Sequence, residues 1–243
     1  MKKKIDLYDD EIGCVEMIDY MGSDLTIVNA ARVSFGKRKD KLDDKDKKLI
    51  KYLAENKHTS TFEHNVATFR FVVPLFVRSQ HMRHRTWAYN EISRRYTDLD
   101  IRFYEPKKLR SQHKSNRQAS TDDMINPLMV PPRQSVIPYG YMKTPHPANS
   151  VIKDHHKRSL ILYNKLIEKG VCREQARGVL PQNMYTEYYG TVNLNNLLKF
   201  VHLRQHTGAQ WEIQQVANAV LDMATVLWPT AVESYRGTQQ GEE

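Results

Sequence analysis

One apolar stripe near the end of the chain restricts its fold more than any other feature. Ile213, Val216, Ala217, Val220, Leu221, Ala224 and Leu227 recur at three- and four-residue steps, the period of a single helix face. A stripe of that length needs a second layer to bury it, so a helix over about 209–227 must lie on a core. A shorter stripe of Leu197, Phe200 and Val201 precedes it, on a helix over 194–205 that Asn193 can cap. Further helices are expected over 24–33 behind the cap Ser23, over 43–56, over about 75–83 after Pro74, over 150–168, and over 173–180 up to Pro181. Strands are expected over 13–20, over 65–73 where Val66, Phe69, Phe71 and Val72 stand, over 101–104, and over the Tyr- and Thr-rich 184–192. Helices and strands neither alternate strictly nor segregate. The expected class is α+β, an antiparallel or mixed sheet packed by helices with long C-terminal helices.

A chain of 243 residues suits one domain over 1–243. Six of its ten prolines fall between Pro127 and Pro147, which predicts an irregular insertion at about 105–149, serving as a lid or a contact between subunits. Cys14 and Cys172 are too few for a disulfide framework or a cysteine metal site. No apolar run reaches membrane-spanning length. The basic start Met1-Lys2-Lys3-Lys4 lacks the apolar stretch of a signal peptide, so a cytoplasmic protein is expected. The formal charge of +9 draws anionic partners without saying which.

The chemistry concentrates in residues 83–96. Four arginines, one histidine and three aromatics stand there beside Asn90, Glu91 and Ser93. Arginine presents a planar fork of donors to phosphate or carboxylate and stacks on flat rings. Aromatics between such forks suit an anionic heteroaromatic ligand, a nucleotide or a flavin. Arg204 is the second unusual residue, because it shares a helix face with Leu197, Phe200 and Val201. Two readings stand for it: a snorkelling or carboxylate-paired structural arginine, or an arginine awaiting an anionic ligand. Arg177 poses the same question on a shorter helix. His58, Glu63 and His64 match no zinc spacing, so no metal is expected. Ser93 sits in no nucleophile elbow. Cys172 stands at a helix start, a place that can favour a thiolate, and a buried or inert thiol is the expected reading. No glycine-rich phosphate loop exists, so side chains must hold any dinucleotide.

Arg83-His84-Arg85 followed after seven residues by Ser93 resembles the signature of the flavin-dependent thymidylate synthases. His58-Thr59-Ser60-Thr61-Phe62-Glu63-His64 resembles the segment upstream of it. Arg173-Glu174-Gln175-Ala176-Arg177-Gly178-Val179-Leu180-Pro181 and Ala209-Gln210-Trp211-Glu212-Ile213 resemble downstream blocks in the same order. The resemblance implies a homotetramer with FAD at subunit interfaces, converting dUMP to dTMP. Methylenetetrahydrofolate would supply the carbon and NADPH would reduce the flavin. Gln80, Arg83, Glu91, Ser93, Arg94, Arg95, Arg177 and Arg204 would meet dUMP. Ser60, Arg83, His84, Arg85, Glu91, Asn193, Asn195 and Lys199 would meet FAD. Asn195 and Lys199 depart from the family pattern, which carries Arg and Asn there. No cysteine nucleophile is expected, and Arg204 is the expected catalytic residue, making the pyrimidine electron-rich. The competing reading is a nucleic-acid-binding module using the basic charge, and a non-catalytic interaction protein is the third. Glu91 within the run and the apolar face around Arg204 argue against the nucleic-acid module, and the third reading is favoured only if neither ligand binds.

Overall fold

The computed structural model describes residues 3–117, 119–129 and 144–239. Along the chain stand β1 (Lys4–Asp6), β2 (Cys14–Met21), α1 (Asp24–Arg32), α2 (Asp44–Glu55), β3 (Val66–Pro74), α3 (Leu75–His81) and β4 (Ala88–Glu91). Then come β5 (Leu109–Gln112), β6 (Ser120–Ile125), β7 (Leu128–Met129), β8 (His146–Pro147), α4 (Ala148–Glu168) and α5 (Arg173–Ala176). Last are β9 (Tyr185–Asn193), α6 (Leu194–Gln205), α7 (Trp211–Leu227) and α8 (Pro229–Gln239). The class is α+β, as the periodicities predict.

The chain divides into two compact units. The first comprises Met1–Val73, Val77–Glu91 and Glu187–Glu243. Its centre is a sheet in the order β1-β2-β3-β9-β4, with β1/β2, β2/β3 and β4/β9 antiparallel. β3 is the best-buried strand, since Ala67, Phe69, Phe71, Val72 and Val73 are all covered. On β3, Arg70 grips Glu187 of β9 through Nε (2.7 Å) and Nη2 (2.8 Å) and reaches Glu16 of β2 through Nη1 (3.1 Å). One planar fork thus fixes the register of three neighbouring strands. The long helices behave as their stripes require: α6 packs on α7, and α2 packs on α8. Both expected caps form. Ser23 makes a reciprocal capping box with Thr26, and the Asn193 side chain accepts from the Asn196 amide at 2.9 Å.

The second unit comprises Pro74–Phe76 and Ile92–Thr186. It holds α4, α5 and two small antiparallel ladders, β5/β6 and β7/β8. These ladders occupy the Pro-rich stretch, where neither had been expected. Residues 118 and 130–143 of that stretch lie outside the described residues. Residues 101–104 contribute a single bridge, Phe103 to Met184, in place of the expected strand. The expected helix over 173–180 is a four-residue α5 that tightens into a 3₁₀ turn over Arg177–Val179.

Candidate active site

The first unit gathers Gln80, Arg83, His84 and Arg204. The helix expected to reach Arg83 ends at His81, so Arg83 and His84 lie in turns beyond it and do not continue its face. The His84 amide closes a turn on the His81 carbonyl (3.0 Å), and the Trp87 amide closes the next on the His84 carbonyl (3.3 Å). From the last turn of α6, Arg204 Nε donates to His84 Nε2 at 3.0 Å, and Nη2 donates to the Gln80 carbonyl at 3.2 Å. The Gln80 amide donates to the Gln210 side chain, whose own amide reaches Glu212 at 2.9 Å.

No carboxylate pairs with Arg204 among the described residues. Its two acceptors are a neutral ring nitrogen and a peptide oxygen. Burial, and after it the charge of Arg83, pull its pKa down. The cation therefore stands where an added anion would relieve it. His84 is held down at about 4, by burial first and by Arg204 second. It is neutral at physiological pH, accepts on Nε2, and so carries its proton on Nδ1. This pairing bears on the question the apolar face of Arg204 posed: among the described residues no structural carboxylate neutralises the arginine.

His81 sits deeper, fully enclosed by Phe71, Trp87, Tyr89, Tyr188 and Phe200. Its Nδ1 lies 2.8 Å from the Tyr188 hydroxyl. Burial above all, then His84 and Arg204, drives its pKa well below the ordinary imidazole range. A histidine kept neutral in the fold titrates near 6.5 once unfolded. Below that pH the unfolded chain binds protons that the folded chain refuses, so stability falls as pH falls. Each refused proton contributes up to about 1.4 kcal/mol per pH unit. From His81 alone, unfolding free energy should drop by about 2 kcal/mol between pH 7 and pH 5. Half-buried His84 adds less. Urea titrations at the two pH values would measure it, and a flat profile would refute the neutral pair.

The remaining expected residues of this unit are dispersed. Glu91, at the end of β4, is engaged by Arg78, whose Nε donates at 2.9 Å. Arg83 and Arg85 are exposed and form no ion pair among the described residues. Ser60 lies exposed on the 3₁₀ turn Thr59–His64. Asn193 is the cap of α6. Asn195 is buried and donates to Glu63 at 2.9 Å. Asn195 and Lys199 line a cavity of about 620 Å³ with Leu53, Phe62, Leu198 and Tyr235. At about 100° per residue, Arg204 lies on the far side of α6 from Asn195. The α6 helix therefore presents two distinct polar faces.

The second unit carries Ser93, Arg94, Arg95 and Arg177. Arg94 is buried, with Nη1 donating to the Leu99 carbonyl at 2.6 Å and Nε without a partner. Burial lowers its pKa. Arg95 is exposed, 3.6 Å from Glu174, and its amide donates to Ser93 Oγ at 3.2 Å. Arg177 is exposed on its 3₁₀ turn. Cys14 is buried, and burial pushes its thiol up, away from the thiolate form; Cys172 is exposed. Among the described residues no group of three His, Cys, Asp or Glu side chains is placed to hold a metal ion. No described helix is long and apolar enough to cross a membrane. Sequence reasoning missed His81, Tyr89 and Tyr188, whose only signal was closeness to the arginine run or to a strand.

Comparison with known proteins identifies the family. The profile of the family described as thymidylate synthase complementing protein matches residues 16–230. The flavin-dependent thymidylate synthase of Thermosipho melanesiensis is 40% identical over 223 residues, covering 92% of this chain and 90% of that protein. That of Thermus thermophilus is 40% identical over 219 residues, covering 90% and 74%. The crystal structure of a UMP/dUMP methylase, PolB from Streptomyces cacaoi, bound with 5-Br UMP, superposes with a TM-score of 0.76 at 30% identity, covering 96% of this chain and 97% of that one. Matched over most of its length in sequence and in fold, the chain belongs to the flavin-dependent thymidylate synthase family.

Proposed function

We propose that this protein is a flavin-dependent thymidylate synthase, converting dUMP to dTMP in a homotetramer whose active sites lie at subunit interfaces. The whole of 1–243 serves as one catalytic domain. The observation that carries the reading is Arg204: a half-buried guanidinium whose partners among the described residues are all neutral. The family's named relatives support the activity.

The residues suit FAD. The exposed turn cations Arg83 and Arg85 are free to meet a pyrophosphate. The neutral His84 beside them can donate from Nδ1. Lys199 and Asn195 add a cation and an amide to an apolar-walled cavity. Ser60, Glu91 and Asn193 complete the proposed FAD set with polar contacts. When bound, FAD reduced by NADPH supplies the hydride, and methylenetetrahydrofolate supplies the carbon.

The chain's own contribution is electrostatic. Arg204 spends Nε on His84 and one Nη2 hydrogen on Gln80, which leaves its Nη1 donors for the pyrimidine. Set against N3 and its neighbouring carbonyl, that charge stabilises negative charge on the ring and makes C5 nucleophilic. Partial burial keeps the interaction from being screened as it would be in water. Gln80, Arg83, Glu91, Ser93, Arg94, Arg95 and Arg177 orient dUMP, the arginines chiefly through its phosphate. Neither thiol takes part in this chemistry, and buried Cys14 resists ionisation.

The test is direct. Purified protein should show flavin absorbance that NADPH bleaches, and should release tritium from C5-labelled dUMP. Both should persist with Cys14→Ser and Cys172→Ser combined. Because one structural relative is described with UMP as well as dUMP, labelled UMP belongs in the same assay. Colourless protein that FAD cannot reconstitute would refute the proposal.

A further inference from the structure

The turn that carries Arg83, His84 and Arg85 is held by a group that no expected site residue supplies. The Tyr89 hydroxyl lies 2.9 Å from the His81 carbonyl and 3.2 Å from the His84 carbonyl. These are the same two oxygens that close the successive turns, through the His84 and Trp87 amides. One hydroxyl therefore spans both turns. We propose that Tyr89 is a positioning residue whose hydroxyl sets the orientation of the 83–85 turn, and through His84 the orientation of Arg204. The assignment of ligands rests on the function proposed above; the positioning role does not.

Three observations support it. First, the ring is fixed independently of the hydroxyl. It stacks on Trp87 at 6.2 Å and 6° and meets His81 and Tyr188 edge-on at 5.3 and 6.0 Å. Across the ladder from Tyr89 is Gly190. A Cβ there would come within 2.9 Å of Phe71 and 3.2 Å of Trp87, so the missing side chain gives those rings their place. Second, the hydroxyl is a dependable donor, because burial raises its pKa. Third, His84 is held at two points, its carbonyl by Tyr89 and its Nε2 by Arg204 at 3.0 Å. Rotating the His84–Arg85 peptide would break the first contact and swing the ring off the second.

The ring supplies packing and the hydroxyl supplies the anchor, so Tyr89→Phe separates them. The readout is the titration of His84 in the full-length protein, followed by NMR on selectively labelled histidine. The charged or titratable groups facing His84 are Arg83 beside it in the turn, His81 from the end of α3, Tyr89 from β4 and Arg204 from α6. In the wild type its midpoint is expected at about 4. In Tyr89→Phe the loosened ring should leave Arg204 and titrate at least about one unit higher. FAD affinity should fall about tenfold, while the melting curve stays cooperative. Tyr188→Phe is the comparison: it removes the bond to the His81 ring but leaves both turn carbonyls anchored, so the His84 midpoint should stay put. An unmoved midpoint in Tyr89→Phe, or an equal rise in Tyr188→Phe, would overturn the proposal. Wild-type protein that binds no FAD would instead sink the flavoenzyme reading, and the His84 midpoint would still decide the role of Tyr89.

Discussion

Arg204→Ala is expected to keep its flavin and lose turnover by about a hundred- to a thousandfold, the usual effect of removing one preorganised donor at a developing negative charge. Of the residues proposed for FAD, His84 alone is hydrogen-bonded to the guanidinium, and its carbonyl stays anchored by Tyr89; the α6 face that carries Asn195 and Lys199 points away from Arg204. The α6 stripe of Leu197, Phe200 and Val201 is buried without it, so the variant should fold. Its loss leaves His84 Nε2 and the Gln80 carbonyl without a donor, but neither is charged and both are near solvent. Arg204→Lys would restore the charge without the fork. A lysine cannot hold His84, Gln80 and the pyrimidine together, so recovery should be partial. Flavin absorbance, a single-turnover rate and tritium release would be compared across the three proteins. Near-normal turnover in the alanine variant would make Arg204 purely structural and would remove the electrostatic account of C5 activation.

The second large effect concerns stability. Gly22→Ala should cost about 2 to 5 kcal/mol, combining a left-handed backbone angle with a forced repacking. Gly22 has φ of 88°, and a Cβ there would lie 2.2 Å from Asn65 Oδ1 and 2.9 Å from Asn65 Cγ. Asn65 cannot easily yield. It is fully buried, its side-chain amide donates to the Ser23 carbonyl at 3.2 Å, and its own carbonyl accepts from the Leu194 amide at 2.8 Å. The Gly22 carbonyl in turn accepts from the Trp228 indole at 3.1 Å. The ends of β2 and β3, the cap of α1, and the start of α6 therefore meet around one missing side chain. Gly36 is the control: its φ is 63°, yet nothing lies within 4 Å of its Cβ position. Gly36→Ala should show only the backbone cost, about 1 to 2 kcal/mol. Equal losses in urea denaturation of the two variants would mean that the contact with Asn65 carries no weight.

Much of the fold was legible because its signals are local. The α7 stripe, the β-rich 65–73 run and the caps Ser23 and Asn193 can each be read from a few neighbouring residues. What escaped depends on distant ones. α8 has few apolar residues, and the amides of Thr230 and Ala231 at its start are capped from across the chain by Asp24, at 2.9 and 3.1 Å. No local pattern announces such a cap. β4 is four residues long and lies at the sheet edge inside the arginine run, where its charged and aromatic residues read as a loop. The 109–125 ladder has almost no buried face, so it offers no alternation to detect. At the site, the oddity of Arg204 was visible from its helix face. Its partner was not, because a histidine behaving as a neutral acceptor looks in sequence like any member of a basic run. The separation of Arg204 from Asn195 and Lys199 around α6 follows from helix geometry alone.

The uncharged state of His84 has a further bearing on how the protein meets acid stress. The proposed catalytic charge belongs to a guanidinium, and the ring beside it is half protonated only at about pH 4. Moderate acidification of the surroundings therefore leaves the local field on the substrate unaltered while the fold itself grows less secure. Activity lost on mild acidification would then reflect fewer intact molecules, each working at an undiminished rate.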